Sequence, residues 1–258
     1  MSERDARAPY LAENLWGYGK RLQFVDVALR REFPGKKRRE LSILDIGGGN
    51  GSQLAIPLAD SGYQVTAIDP HQPSIEHGRR LAAAVKFHHG SISDLPPTKF
   101  ECVIISEVLE HVDEPELLLR MALPYLAKSG ILVITVPNGY GEFELDRRFY
   151  RALHVDKMAA WLRSMLKRSQ DAAGLAGSDD ESPHVQRFTL SSLDSMFYSN
   201  QLQLVEARGT SVVSGPFIAH LFGKSQIFIR TNASVADHLP LPFVAGWMFC
   251  LRLSQEVR

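Results

Sequence analysis

The chain has 258 residues, 45% of them hydrophobic and 22% charged, which suits one large α/β domain with an elaboration. Its 29 basic and 29 acidic side chains cancel to a formal charge of zero, so no global field draws it to nucleic acid. Two cysteines, Cys102 and Cys250, stand in apolar stretches and form neither a disulfide nor a zinc framework, the opening MSERDARAPY lacks a signal-peptide core, and the apolar run at 239–251 is too short to span a bilayer, which together predict a cytoplasmic protein.

In chain order, residues 10–33 carry an amphipathic helical pattern with Leu15, Trp16, Tyr18, Leu22, Phe24, Val25 and Val27, and basic residues cluster after it at 36–39. Residues 41–52 read LSILDIGGGNGS. Ile43, Leu44 and Ile46 predict a buried parallel strand that stops in Gly47, Gly48 and Gly49, and after Asn50 a further glycine, Gly51, opens a helical pattern. Glycines belong where the backbone takes positive φ or where a ligand comes closer than a Cβ allows. A dinucleotide site wants Gly-x-Gly-x-x-Gly, whereas here Asp45 leads Asp-x-Gly-x-Gly-x-Gly and Ser52 holds the last dinucleotide position. An acid just before the turn suits a positively charged ligand better than a pyrophosphate.

This stretch resembles the first motif of the class I S-adenosylmethionine-dependent methyltransferases, and the likeness extends over residues 40–140. It implies a doubly wound, Rossmann-like α/β fold with a seven-stranded sheet whose last strand is antiparallel. It also implies S-adenosylmethionine as the cofactor, held by Asp45, Gly47, Gly48, Gly49 and Gly51. In such enzymes a leader helix lids the pocket, so residues 1–40 are expected to form a lid, with Tyr10 or Tyr18 as minor candidates to touch the ligand. The methyltransferase domain would then occupy 41–258, with inserted cap segments at 143–184 and 214–240.

Residues 53–61 read as a helix stopped by Gly62, and 63–68 as a second strand ending in Asp69-Pro70. A carboxylate at that tip accepts hydrogen bonds from both ribose hydroxyls, so Asp69 is expected to hold the sugar with Pro70 beside it, an exposed turn aspartate being the alternative. A helix at 74–84 and a short strand at 85–88 lead to the loop after Gly90. In related sequences this loop holds the adenine, which implies that the Ser91 side chain and the Ile92 amide face the ring, although Asp is common where Ser91 stands. Residues 100–106, FECVIIS, are apolar on both faces and predict a central strand ending at Ser106, a further cofactor contact. A helix at 116–127, started by Asp113-Glu114-Pro115 and stopped at Gly130, precedes a fifth strand at 131–136. Such alternation brings the carboxyl ends of strands one, four and five to one crevice.

Pro137 to Gly141 form a loop at the edge of that crevice. Residues 143–168 carry a helical pattern with Phe149, Leu153, Trp161, Leu162, Met165 and Leu166, and the cations Arg147, Arg148, Arg151, Lys157, Arg163, Lys167 and Arg168 outnumber Asp146 and Asp156. Basic amphipathic helices with Trp can lie on anionic membranes, so a peripheral membrane contact is one expectation and packing on the domain the other. His154 in this stretch is the remaining histidine best placed by sequence to face substrate. Residues 171–182 are small and acidic. Thr189 then caps a helix through 198, and strands are expected at 203–210 and 243–253. The segment between them reads as mainly helical cap, although QIFIRT could equally be a strand.

Methyl transfer from a sulfonium is an in-line displacement, so the protein chiefly positions the acceptor and manages its proton. Glu107, Glu110 and His111 follow the fourth strand at i, i+3 and i+4, which on a helical turn puts two carboxylates and an imidazole on one side. His111 could act as a general base, or the three could hold a divalent cation such as Mg2+. The Glu-x-x-Glu-His pattern resembles the O-methyltransferases of ubiquinone biosynthesis and the small-RNA 2'-O-methyltransferases, which use it with a metal and place a histidine before a Phe-Thr/Ile-helix segment. His184, ahead of Phe188-Thr189, matches that order. The likeness therefore implies Glu107, Glu110, His111 and His184 as metal ligands, and Glu107, His111 and His184 as the catalytic set. In metal-free relatives Leu-Glu-His-Val merely stitches loops together, which is the competing reading. The expected reaction is O-methylation of a small-molecule, glycan or lipid-linked hydroxyl. An RNA 2'-O-methyltransferase and a small-molecule N-methyltransferase are the alternatives, and the neutral charge with no aromatic and basic stacking platform counts against RNA. Residues 210–258 do not look like the ubiquinone enzymes and are expected to shape a different acceptor pocket.

Overall fold

A computed structural model describes residues 17–139, 185–214, 222 and 225–254 and places seven strands in one sheet. Strands β1 (Ser42–Ile46) and β4 (Phe100–Ser106) are apolar on both faces because helices cover both sides of the sheet. β1 pairs in parallel with β4 and with β2 (Gln64–Asp69), β2 with β3 (Val85–His89), and β4 with β5 (Leu126–Pro137). β7 (Gly246–Leu253) runs antiparallel between β5 and β6 (Leu202–Gly209), giving the order β3-β2-β1-β4-β5-β7-β6. This is the doubly wound sheet with an antiparallel last strand that the family resemblance implies.

Helices α1 (Tyr18–Glu32), α2 (Ala55–Asp60) and α3 (Gln72–Leu81) contribute to the core on one face, with Ile43, Val65, Ile104 and Val133 beneath them. Helices α4 (Pro115–Ala122), α5 (Leu190–Ser199) and α6 (Gln226–Ala236) contribute to the other, over Val103, Ile105, Ile134 and Phe249. α1 buries Phe24, Val25, Ala28 and Leu29 as one stripe and ends in Arg30 and Arg31, which suit the negative end of its dipole. Thr189 caps α5 by accepting from the Ser192 amide at 3.1 Å, as its sequence position predicts.

Two expectations change, and one left open is decided. The helix expected at 116–127 ends at Ala122, because Pro124 cannot donate a helical hydrogen bond and Leu123–Tyr125 tighten into a 3-10 turn. β5 already begins at Leu126, and its register with β4 jumps from Phe100↔Leu126 to Cys102↔Ile131, so Gly130 belongs to a bulge and not to a helix stop. QIFIRT is helical: Ser225 accepts from the Phe228 amide at 3.3 Å and starts α6. Residues 143–168, 171–182, Tyr10, His154 and His184 lie outside the described residues. Among the described residues no helix is long and apolar enough to cross a membrane, and Cys102 and Cys250 are free and buried.

Candidate active site

The turn after β1 is built on left-handed backbone, with φ of 72° at Gly47, 57° at Gly49 and 76° at Gly51. A Cβ on Gly47 would come within 2.5 Å of Val108 Cγ2, and one on Gly48 within 2.4 Å of Asp45 Oδ2, whereas one on Gly49 would meet nothing within 4 Å. The turn is therefore packed from below and open at Gly49, a cradle that admits a ligand to the backbone. Beneath it Asp45 is buried, and burial first, then the charge of Asp69, pushes its carboxyl up to about 7. Such a group gains most from a cation.

Asp69 is not a free turn aspartate. Its Oδ2 accepts from the Gly49 amide at 2.9 Å and its Oδ1 from the His71 amide at 2.8 Å, which ties the glycine turn to the start of α3. The Pro70 carbonyl oxygen lies 3.1 Å from His89 Nε2. α3 supports the turn from the side: a Cβ on Gly78 would sit 2.7 Å from the Asn50 carbonyl oxygen and from the Phe87 ring. In the loop after β3, the Ser91 amide donates to Asp94 Oδ2 at 2.7 Å, and Ile92 opens a 3-10 turn, its carbonyl accepting from the Tyr125 hydroxyl at 2.7 Å. The loop bearing Ser91 and Ile92 thus has a fixed shape.

At the ends of β4 and β5 a polar layer replaces the apolar core. Ser106 Oγ lies 2.8 Å from Thr135 Oγ1, and Thr135 Oγ1 donates to Glu107 Oε1 at 2.8 Å. Into this layer α1 inserts Arg21, buried, with Nη1 3.4 Å from Ser106 Oγ and 3.8 Å from Glu107 Oε1, its guanidinium 4.5 Å above the Tyr18 ring. Sequence reasoning missed Arg21. The signal was available, because Arg21 stands three, four and seven residues before Phe24, Val25 and Ala28, on the stripe that α1 buries.

The expected single-faced turn of Glu107, Glu110 and His111 is not formed. Glu107 takes left-handed backbone at φ 54°, its amide donates to the Thr135 carbonyl at 2.9 Å, and only Leu109–His111 make a 3-10 turn. Glu110 is buried, its carbonyl accepts from the Val185 and Gln186 amides at 2.8 and 3.0 Å, and among the described residues its Oε2 has no hydrogen-bond partner. Burial, and next the charge of Glu107, hold its carboxyl well above the usual carboxylate range. His111 Nε2 stands 3.9 Å from Glu110 Oε1. Among the described residues no three His, Cys, Asp or Glu side chains come together to hold a metal ion. The described residues do not assemble a Mg2+ site, and His184 lies outside them.

A family model for a methyltransferase domain matches residues 18–207. The ubiquinone biosynthesis O-methyltransferase of Rickettsia canadensis (strain McKiel) is 33% identical over 104 residues, 38% of this chain and 44% of that protein, so the match spans less than half of the relative's length. Its namesake from Xanthomonas campestris pv. campestris (strain B100) is 29% identical over 172 residues, 58% of this chain and 70% of the relative. Among solved structures, the plantazolicin methyltransferase BpumL, in complex with a triazolic desmethylPZN analog and SAH, superposes with a TM-score of 0.54 over 98% of this chain and 88% of its own, at 17% identity, a likeness of fold.

Proposed function

The chain belongs to the methyltransferase domain family, and from that premise we propose that it transfers a methyl group from S-adenosylmethionine to a hydroxyl of a small-molecule, glycan or lipid-linked acceptor. The observation that carries this reading is the buried Asp45 carboxyl under an open glycine turn that Asp69 braces. A sulfonium nucleoside answers both features, since it brings positive charge toward Asp45 and a sugar to Asp69. Each Asp69 oxygen accepts one amide and keeps a lone pair for a ribose hydroxyl. Ser91 and Ile92 face the adenine, Gly47, Gly48, Gly49 and Gly51 let the backbone approach, and Pro70 and Ser106 border the cradle. Arg21 receives the carboxylate of the methionine tail, which puts opposite charges at the two ends of that tail.

Transfer then needs little covalent help from the protein. The acceptor oxygen attacks the methyl carbon in line, the carbon–sulfur bond breaks with its electron pair remaining on sulfur, and the sulfonium becomes a neutral thioether. The hydroxyl proton leaves to His111, the more exposed member of the pair it forms with Glu110. Glu107, occupied by Thr135, orients Ser106 and Arg21 and takes no proton. No step runs through Mg2+. The hydroxyl acceptor draws support from relatives named as ubiquinone biosynthesis O-methyltransferases, and a lipid-linked acceptor would also account for the basic, Trp-bearing sequence at 143–168.

Calorimetric titration of the full chain with S-adenosylmethionine and S-adenosylhomocysteine tests the cofactor, and methyl labelling of host extracts from labelled S-adenosylmethionine tests the acceptor. Micromolar binding and labelling of a hydroxyl-bearing small molecule or lipid are expected. Absence of binding to both nucleosides overturns the reading, and exclusive labelling of RNA overturns the acceptor class.

A further inference from the structure

The helix that carries Arg21 is fastened at its start by a part of the chain beyond the family match, which ends at residue 207. Lys20, the neighbour of Arg21, sends its ammonium to the C-terminal end of α6, where Nζ lies 2.6 Å from the Ala233 carbonyl oxygen and 2.9 Å from Asp237 Oδ1. Unsatisfied carbonyls and the negative end of the helix dipole gather there, so the cation is favoured by the helix end as well as by the carboxylate. The Lys20 side chain is only 11% exposed in this seat.

The N-cap of α1 is Gly17 at φ 83°, with no side-chain cap and no acid in the first turn, and the fully buried apolar stripe of the helix starts at Phe24. Gly17 does press on Thr210, where a Cβ would lie 3.1 Å from Thr210 Cβ, and this contact also belongs to the region beyond the match. α6 is itself held in place, because Asn232 accepts from the Val212 and Val213 amides at 3.0 Å each and donates to the Val213 carbonyl at 2.7 Å. Adjacent helical residues point about 100° apart. Lys20 therefore grips α6 while Arg21 turns onto the ends of β4 and β5.

We infer that Lys20 and Asp237 are positioning residues for cofactor binding: their clasp sets the height and rotation of the first turn of α1 and so holds the Arg21 guanidinium against Ser106 and Glu107. The inference rests on the assignment of Arg21 to the methionine carboxylate given above. It makes α6 a partner of the cofactor site, so a shift of α6 is felt in the grip on the methionine tail.

The test compares two probes, S-adenosylhomocysteine and 5'-methylthioadenosine, which shares the nucleoside but lacks the amino-acid tail. Dissociation constants are measured for Lys20→Met, Asp237→Asn, Lys20→Arg and Arg21→Met, with melting curves alongside. Lys20→Met and Asp237→Asn are expected to weaken S-adenosylhomocysteine roughly five- to twentyfold and to leave 5'-methylthioadenosine within about twofold, with Lys20→Arg recovering most of the loss. If Lys20→Met does not fold, Asp237→Asn carries the same comparison. Equal losses on both probes, or no loss on either, overturn the clasp while Arg21→Met still separates the probes. Should Arg21→Met fail to separate them, the Arg21 assignment falls and the clasp with it.

Discussion

The Gly49 amide donates to Asp69 Oδ2 at 2.9 Å, so the acid that closes β2 also fixes the bend that follows β1. Its other oxygen takes the His71 amide, and an asparagine offers only one acceptor for the two amides. Asp69→Asn should weaken S-adenosylhomocysteine roughly tenfold and Asp69→Ala further, because a hydrogen bond to a charged group contributes about 1.5–3 kcal/mol. Titration calorimetry checks this. An asparagine variant that binds like the parent removes Asp69 from the site.

Asp45 predicts a pH dependence. Its carboxyl is raised in the fold from 3.8 to about 7, by burial and then by Asp69. Between those values the folded chain keeps a proton that the unfolded chain has lost, so the contribution of Asp45 to stability falls as pH rises from 3.8 to about 7 and is level above that, by a few kcal/mol at most. A bound cation favours the ionised form, so S-adenosylmethionine should bind more tightly at pH 8 than at pH 6, with proton release near neutrality. Asp45→Asn should flatten both profiles. Calorimetry in buffers of different ionisation enthalpy reads the proton, and a parent chain with no release contradicts the assignment.

Gly78→Ala sets two effects against each other. Alanine in a helix interior gains about 1 kcal/mol over glycine. Here its Cβ would press on the Asn50 carbonyl and the Phe87 ring at 2.7 Å, and overpacking costs about 1–3 kcal/mol. A net loss in thermal melts is expected, with weaker cofactor binding because Asn50 belongs to the glycine turn. A stabilised variant would show that α3 does not brace the turn.

The role of metal is decided at Glu110. Burial holds its carboxyl above the usual range and an amide matches its shape, so Glu110→Gln should melt within about 1 kcal/mol of the parent and remain active in EDTA, while His111→Ala lowers kcat on the order of a hundredfold or more. Activity lost to EDTA and restored by Mg2+ would reinstate the metal reading with His184 as a ligand.

How legible these features were depended on how local they are. The glycine turn and the acids flanking it could be read because turn chemistry is written in consecutive residues, and the strands followed from their apolar runs, while the strand count and the antiparallel last strand came with the family resemblance. Gly130 misled because Leu117 to Ala127 satisfies a helical period, and Pro124 was the competing signal that won. The spacing of Glu107, Glu110 and His111 assumed one continuous helical turn, whereas Glu107 adopts a left-handed backbone that glutamate seldom takes. Arg21 is legible as a member of the stripe that α1 buries, but its reach to Ser106, 85 residues away, is encoded by no local pattern. QIFIRT was ambiguous until its cap at Ser225 was seen.

The placement of β7 between β5 and β6 has a consequence for biogenesis. A ribosome delivers both neighbours before residues 246–253, so the nascent chain must keep a slot open while two raw strand edges wait for their shared partner. Translation halted upstream of that point would yield a product with nearly all of its interior yet prone to aggregate, and chaperone demand should peak just before the slot is filled.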